Sequence, residues 1–151
     1  MKKKVTILIP AYNEEASLPL LYPELVKLMD KEAGYDWELL FVNDGSKDRT
    51  ADMLRELREK DERVNYVNLS RNFGKENAML AGFDYATGDC MVIMDADLQH
   101  PPKVVSEMLK HWEEGFEDVY AKRATRGKEP WLRKKLSLLF YKVLDKSTRF
   151  E

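Results

Sequence analysis

The sequence predicts a single α/β domain: a doubly wound, mostly parallel β-sheet with helices on both faces. Its 151 residues fit one domain of common size, and 44% of them are hydrophobic, which is enough for a folded core. Apolar runs rich in β-branched residues alternate with amphipathic segments. These runs are continuous, without regular polar interruptions, which is typical of strands buried on both faces.

Five strands are expected from the apolar runs, at residues 5–11, 37–42, 64–69, 90–94 and 118–121. Five helices are expected between and after them, at residues 17–29, 50–60, 75–86, 103–114 and 131–144. Pro101 and Pro102 are suited to opening the fourth helix, because a proline in the first turn loses no helical hydrogen bond. Strand–helix–strand crossovers of this length join parallel strands, which is why the sheet is predicted to be parallel.

Charge divides the chain into two parts. Residues 1–121 carry 15 basic and 24 acidic side chains, whereas residues 122–151 carry 10 basic and 3 acidic ones. We therefore expect a core over residues 1–121 and a basic segment over residues 122–151. The segment suggests an anionic partner, either phosphate groups or a membrane surface, with a solvated helix face as the alternative.

Several classes of protein lose support from the sequence. No apolar run approaches the roughly 20 residues of a bilayer span, and the N-terminus does not resemble a signal peptide. The single cysteine, Cys90, excludes an internal disulfide, favours a reducing cytoplasm and is expected to be a small buried residue. His100 and His111 are too few for a zinc site built mainly from imidazoles and are expected at the surface.

The common phosphate-binding and nucleophile motifs are absent from the sequence. It contains no Gly-x-Gly-x-x-Gly, no Gly-x-x-x-x-Gly-Lys-Ser/Thr and no Gly-x-Ser-x-Gly. Hydride transfer, P-loop ATP hydrolysis and α/β-hydrolase chemistry therefore lose support.

Polar segments follow the first four predicted strands, at the edge where parallel sheets bind ligands. The fourth carries Asp95 and Asp97, whose carboxylates suit Mg²⁺ or Mn²⁺ shared with a diphosphate, and Gln99 could add a carbonyl oxygen. The alternative is that the two aspartates cap the next helix, but Pro101 and Pro102 begin that helix too late for this role.

The first two segments leave alternatives open. Asp44 could accept hydrogen bonds from a ribose or base, or it could cap the helix that begins near residues 47–50. Tyr12 and Glu14 could flank a nucleobase by stacking and by accepting from a ring N–H. Alternatively, Glu14 or Ser17 could cap the helix that follows.

Taken together, the four segments resemble a known family. They read Ile-Pro-Ala-Tyr-Asn-Glu-Glu at 9–15, Val-Asn-Asp-Gly-Ser-Lys-Asp at 42–48, Ser-Arg-Asn-Phe-Gly-Lys-Glu at 70–76 and Met-Asp-Ala-Asp-Leu-Gln-His-Pro-Pro at 94–102. Their order and spacing resemble glycosyltransferase family two, and most of all the polyprenyl-phosphate glycosyltransferases such as dolichol-phosphate mannose synthase and the bactoprenol glucosyltransferases. The resemblance covers nearly the whole chain. Because such proteins continue further, we expect an N-terminal fragment with weak or absent turnover.

The resemblance implies the nucleotide-binding half of a GT-A fold and a UDP- or GDP-sugar donor. It implies that Pro10, Tyr12, Glu14 and Asp44 line the nucleoside pocket, that Asp95 faces the ribose and diphosphate, and that Asp97 with Gln99, next to Asp95, holds Mg²⁺ or Mn²⁺. The chain departs from the pattern at Asn43, where many relatives carry a second aspartate.

The basic segment resembles the acceptor side of the lipid-phosphate enzymes. By this resemblance Arg123, Arg133 and Ser137 hold the acceptor phosphate, beside Trp131 and an acceptor-side loop at residues 127–130. Arg133 and Ser137 lie one turn apart on one face of the predicted helix. That basic amphipathic helix could lie in the membrane interface, or its apolar face could pack on sequence that is missing here.

The expected function is inverting transfer of a sugar from a UDP- or GDP-sugar to undecaprenyl or dolichyl phosphate at the cytoplasmic face of the membrane. Asp97, Arg123 and Arg133 are the expected catalytic residues. One alternative is a sugar hydroxyl acceptor in polysaccharide or glycoprotein synthesis, and another is a non-catalytic module that docks to a membrane or partner. We expect no nucleic acid partner. The chain is expected to be a soluble fragment of a membrane-anchored protein, and a homo-oligomer is one of the oligomeric states left open.

Overall fold

Four strands and four helices alternate along the part of the chain that the computed structural model describes, residues 1–97 and 101–117. The strands are β1 (Lys4–Ala11), β2 (Asp36–Asn43), β3 (Val64–Asn68) and β4 (Cys90–Ile93). The helices are α1 (Leu18–Lys31), α2 (Thr50–Lys60), α3 (Lys75–Tyr85) and α4 (Lys103–Glu113). Every predicted element within these residues is confirmed to within about two residues, the usual uncertainty of element ends. The predicted strand at 118–121 and helix at 131–144 lie outside the described residues.

All neighbouring strands of the sheet are parallel, in the order β3-β2-β1-β4. At its centre Ile7 of β1 lies beside Leu39 of β2 and Val92 of β4. The chain steps outward from β1 to β3 and then crosses back to place β4 on the other side of β1. The carboxyl ends of β1 and β4 therefore form the topological switch point, where open α/β sheets have their binding crevice.

Helices cover both faces of the sheet, as predicted. Alternate side chains of β1, including Ile7 and Ile9, pack in a large core with residues of α1, α2 and α4. Leu8 points to the opposite face and joins a smaller core with Ala78 of α3. This two-sided burial explains why the strands lack a polar alternation in the sequence.

A buried carboxylate joins three strands and the segment before β4 on the α3 face. Glu38 of β2 is only 3% exposed. Its oxygens accept hydrogen bonds from Thr6 Oγ1 at 2.8 Å, from Asn65 Nδ2 at 2.8 Å and from the Thr87 N–H at 3.0 Å. The N–H of Gly88 donates in turn to Thr6 Oγ1 at 2.9 Å. This network fixes where the chain enters β4, the strand that leads to Asp95.

Two further predictions concern single side chains. Cys90 is half-buried against the larger core, and burial, together with the charges of Asp89 and Glu113, raises the pKa of its thiol to about 11. The thiol therefore stays protonated near neutral pH, in agreement with an unreactive residue. The ring of His111 is exposed at the surface, as predicted. Among the described residues, no helix combines the length and the apolar character that a bilayer span requires.

Candidate active site

A cleft of about 410 Å³ opens at the switch point between β1 and β4. It is lined by Pro10, Ala11, Tyr12, Glu14, Asp44, Asn72, Gly74, Lys75, Asp95, Ala96 and Asp97. Six residues that were predicted to contact the donor or the metal thus lie around one cleft, although they are spread over more than 80 positions of the sequence. Their roles as ligands stay predictions.

The loop after β1 is fastened to the loop after β2. Asn13 adopts a left-handed conformation with φ of 53°, which asparagine tolerates better than most residues. Its N–H donates to Ser46 Oγ at 2.9 Å, and its Oδ1 accepts from the N–H of Lys47 at 2.8 Å. The N–H of Glu14 donates to Thr50 Oγ1 at 2.9 Å. These contacts place the side chains of Tyr12 and Glu14 at the cleft without using the Glu14 carboxylate.

Two of the capping roles considered for the first two loops, those of Ser17 and Asp44, are wrong. Ser17 stands at the start of α1 but makes no side-chain hydrogen bond to it. Asp44 does not cap α2, because the carboxylate of Asp48 accepts the N–H of Thr50 at 2.9 Å instead. Burial would raise the pKa of Asp48, but hydrogen bonds from Thr50 and Glu15 lower it overall. The carboxylate of Asp44 is therefore not used to cap α2.

Asp44 is a buried residue of the cleft that holds the surrounding loops together. It is only 3% exposed, and its own N–H donates to the Ala11 carbonyl at 2.9 Å. Its two carboxylate oxygens accept the N–H groups of Phe73 at 2.8 Å and Gly74 at 3.1 Å. A carboxylate held by two backbone donors fixes the loop after β3 against the loops after β1 and β2. Each oxygen keeps a second lone pair that a ribose or base could use.

Asn43 performs a local role that an aspartate could not fill in the same way. Its side chain is 4% exposed; Oδ1 accepts the N–H of Ser46 at 3.1 Å, and Nδ2 donates to Asn68 Oδ1 at 3.0 Å. The amide therefore closes the turn after β2 and ties β2 to β3. Because aspartate has no donor when ionised, the departure from the family pattern serves the sheet edge as well as the turn.

Gly45 packs the loop after β2 directly onto the loop after β3. Its φ is +67°, and a Cβ at this position would lie 2.2 Å from the carbonyl carbon of Arg71 and 2.4 Å from the nitrogen of Asn72. Only glycine allows this approach, because the opposing atoms belong to the backbone and cannot rotate away. Gly45 and Asp44 thus hold the same loop by contact and by hydrogen bonds.

Asp95 and Asp97 follow β4, with Asp95 half-buried and Asp97 exposed. The carboxylate of Asp95 forms an ion pair with the ammonium group of Lys75, the first residue of α3. Within residues 1–97 and 101–117, no three acidic, histidine or cysteine side chains gather as metal ligands. Two carboxylates are nevertheless a fitting donor set for Mg²⁺ or Mn²⁺, which bind through one or two carboxylates plus substrate phosphates.

Several predicted site residues lie outside the described residues, and their roles stay predictions. They are Gln99, Arg123, Arg133 and Ser137, together with Trp131 and the loop at residues 127–130. Three residues for which no individual role was predicted also line the cleft, namely Asn72, Gly74 and Lys75. The signal was present, because all three belong to the motif quoted at residues 70–76.

Comparison with protein families decides the family of this chain. The model of glycosyl transferase family 2 matches residues 6–151. The chain belongs to this family. The resemblance stated from the four loop motifs is therefore confirmed.

Two curated relatives in the family illustrate how the chain relates to longer proteins. It is 46% identical to the uncharacterized glycosyltransferase YkcC of Bacillus subtilis, over 95% of this chain and 44% of that protein. It is 38% identical to the prophage bactoprenol glucosyl transferase homolog of Escherichia coli, over 95% of this chain and 46% of that protein. The chain thus spans slightly less than half the length of these family 2 relatives.

A solved structure of similar fold is that of the mannosyltransferase PcManGT from Pyrobaculum calidifontis, in complex with GDP-Man and Mn²⁺. The two chains are 24% identical and superpose with a TM-score of 0.62, over 73% of this chain and 32% of that one. At this identity the likeness concerns the fold. It confirms the predicted GT-A class of α/β structure for this family 2 member.

Proposed function

We propose that this chain forms the donor side of an inverting glycosyltransferase that moves a sugar from a UDP- or GDP-sugar to a polyprenyl phosphate. The observation that carries the proposal is the convergence of Pro10, Tyr12, Glu14, Asp44, Asp95 and Asp97 on one cleft at the switch point. The bactoprenol glucosyl transferase name of a relative supports the lipid acceptor. A lipid acceptor places the reaction at a membrane surface, and we assign it to the cytoplasmic face.

The donor's charge must be neutralised in a cleft that itself holds carboxylates. We assign Asp95, Asp97 and Gln99 to hold Mg²⁺ or Mn²⁺, which when bound supplies Lewis-acid stabilisation of the departing diphosphate. Asp44 keeps the loops in place around the donor, since its oxygens fix the N–H groups of Phe73 and Gly74. Tyr12 and Glu14 face the nucleoside from the loop after β1.

The acceptor chemistry requires no general base. A phosphate monoester is mostly ionised near pH 7, because its second pKa is about 6. One of its oxygens attacks the anomeric carbon while the bond from that carbon to the diphosphate breaks, which inverts the configuration. The remaining need is to reduce repulsion between two anions, and we assign this to Arg123 and Arg133, with Ser137 as a hydrogen-bond donor. We therefore divide the chain into a donor core at residues 1–121 and an acceptor segment at residues 122–151.

The donor assignment is tested by replacing Asp97 with alanine. We expect the variant to bind UDP or GDP in the presence of Mn²⁺ more than about tenfold more weakly than the unmodified chain, because it loses a charged ligand to the metal. Arg133→Ala is the matched control and should retain the unmodified affinity. Isothermal titration calorimetry measures both, and undiminished binding by Asp97→Ala would refute the metal assignment.

The acceptor assignment is tested with vesicles. The chain is expected to sediment with phosphatidylcholine vesicles that carry undecaprenyl phosphate more than with vesicles that lack it. Arg133→Ala should reduce this difference about tenfold, the effect of losing a charge-assisted hydrogen bond to phosphate. Equal sedimentation with both kinds of vesicle would contradict a lipid-phosphate acceptor.

A further inference from the structure

The loop after β3 and the first residue of α3 lie at the cleft but have no chemical part in the function proposed above. Asn72, Gly74 and Lys75 line the cleft. Two independent contacts fix this segment, namely the hydrogen bonds to Asp44 and the close packing of Gly45 on the backbone of residues 71 and 72. These contacts fix the loop that precedes Lys75, and they therefore also fix the position of its backbone at the cleft.

Lys75 is the cationic partner of a residue assigned to the donor and metal. Its ammonium group pairs with the Asp95 carboxylate, and the side chains are 54% and 32% exposed. Lys75 is also the first residue of α3, where the positive end of the helix dipole disfavours a cation. Glu76 in the same turn offsets part of this effect. The Asp95 carboxylate, which reaches Lys75 from the loop after β4, further offsets this unfavourable interaction with the helix dipole.

The pair has a consequence for ligand binding. A divalent cation at Asp95 competes with the Lys75 ammonium for the same carboxylate, and it carries twice the charge. Once Asp95 turns to the cation, Lys75 faces the cleft without that counter-ion. A diphosphate held in the cleft offers the ammonium group a new anionic partner.

We propose that Lys75 exchanges partners: it holds Asp95 in the cleft without ligand and donates to the donor diphosphate when Asp95 binds the divalent cation. This inference rests on the proposed function, because it takes the nucleoside diphosphate and the cation as ligands of the cleft. It assigns a role to the motif at residues 70–76. This segment positions the sugar-nucleotide donor, and without ligand its lysine pairs with the carboxylate that binds the metal.

The test is Lys75→Gln, measured in two titrations of the chain. With Mn²⁺ alone, the variant should bind the cation about two- to fivefold more tightly, the range of a partly exposed ion pair, because the competing ammonium is gone. With UDP or GDP at saturating Mn²⁺, it should bind the nucleotide about tenfold more weakly, because a charged donor is lost. Effects of opposite sign distinguish partner exchange from general damage, which would weaken both.

Lys27→Gln is the matched control. Lys27 also forms an exposed ion pair, with Glu24 at 3.1 Å, but on α1 and away from the cleft. This variant should change neither affinity.

The outcomes separate this inference from the proposed function. If the unmodified chain binds neither UDP nor GDP with Mn²⁺, the proposed function is refuted and the exchange with it. If the unmodified chain binds nucleotide and Lys75→Gln binds it equally well, only the role of Lys75 is overturned. Mn²⁺ affinity that stays unchanged or falls in Lys75→Gln also overturns it.

Discussion

Replacing Gly45 with alanine is expected to lower the free energy of unfolding by about 2 to 5 kcal/mol. The added Cβ would meet the backbone of Arg71 and Asn72 at 2.2 and 2.4 Å, and the residue would have to keep a φ of +67°. The left-handed conformation costs a side chain about 1 to 2 kcal/mol, and forced displacement of packed atoms adds about 1 to 3 kcal/mol. Because the loop after β3 must move, nucleotide affinity should fall as well.

Urea unfolding followed by tryptophan fluorescence measures this change. Two other glycines separate its causes: Gly115 shares a positive φ, of +100°, but a Cβ added there would meet nothing within 4 Å, and Gly34 has neither feature. Gly115→Ala should lower the free energy of unfolding by about 1 to 2 kcal/mol, and Gly34→Ala should leave it almost unchanged. If Gly45→Ala loses no more than Gly115→Ala, the loops after β2 and β3 are not locked together as described.

The strands were predictable because their burial pattern dominates the local sequence. β2 extends over Asp36–Asn43, one residue beyond the predicted run at each end, and its last seven residues are all buried. A strand buried on both faces is apolar at most positions and lacks a regular polar alternation, and the buried Glu38 of β2 is accommodated by its hydrogen bonds. The parallel direction of the strands was predictable from the helices between them, and the ligand-binding edge at their carboxyl ends was predictable from that direction.

The contacts between loops were not predictable from the sequence. Asp44 was open to two roles, and its main contacts are with the N–H groups of Phe73 and Gly74, about 30 positions later. The carboxylate of Asp48, four positions after Asp44, accepts the N–H of Thr50, the first residue of α2. A sequence identifies which polar side chains follow a strand, but not which backbone groups a neighbouring loop will present to them. The ion pair between Lys75 and Asp95 escaped prediction for the same reason.

The second large effect is expected from Glu38. Glu38→Ala should lower the free energy of unfolding by about 3 to 5 kcal/mol, because it leaves the buried hydroxyl of Thr6 and the partly buried hydrogen bonds of Asn65 and Thr87 without an acceptor. Glu38→Gln keeps the shape and one acceptor oxygen, and should lose about 1 to 2 kcal/mol. Since this network sets where β4 begins, both variants should also weaken the nucleotide binding that we propose near Asp95 and Asp97, at the other end of that strand.

The effect of Glu38 depends on pH. Burial alone would raise the pKa of its carboxyl, but hydrogen bonds from Thr87, Thr6 and Asn65 outweigh burial and lower it. The folded state therefore binds the proton less well than the unfolded state, where a glutamate titrates at about 4.3. The stabilisation by this carboxylate is complete above that pH and is lost as the pH falls through the lower pKa of the folded state.

Urea unfolding at pH 6 and pH 3 tests both statements. The difference in stability between the unmodified chain and Glu38→Gln should shrink at the lower pH, because glutamine has no carboxylate to protonate. Glu24→Gln provides the control, since Glu24 is an exposed glutamate on α1 whose ion pair with Lys27 contributes little. A difference for Glu38→Gln that matches Glu24→Gln, or that stays constant between the two pH values, would contradict a stabilising ionised carboxylate at Glu38.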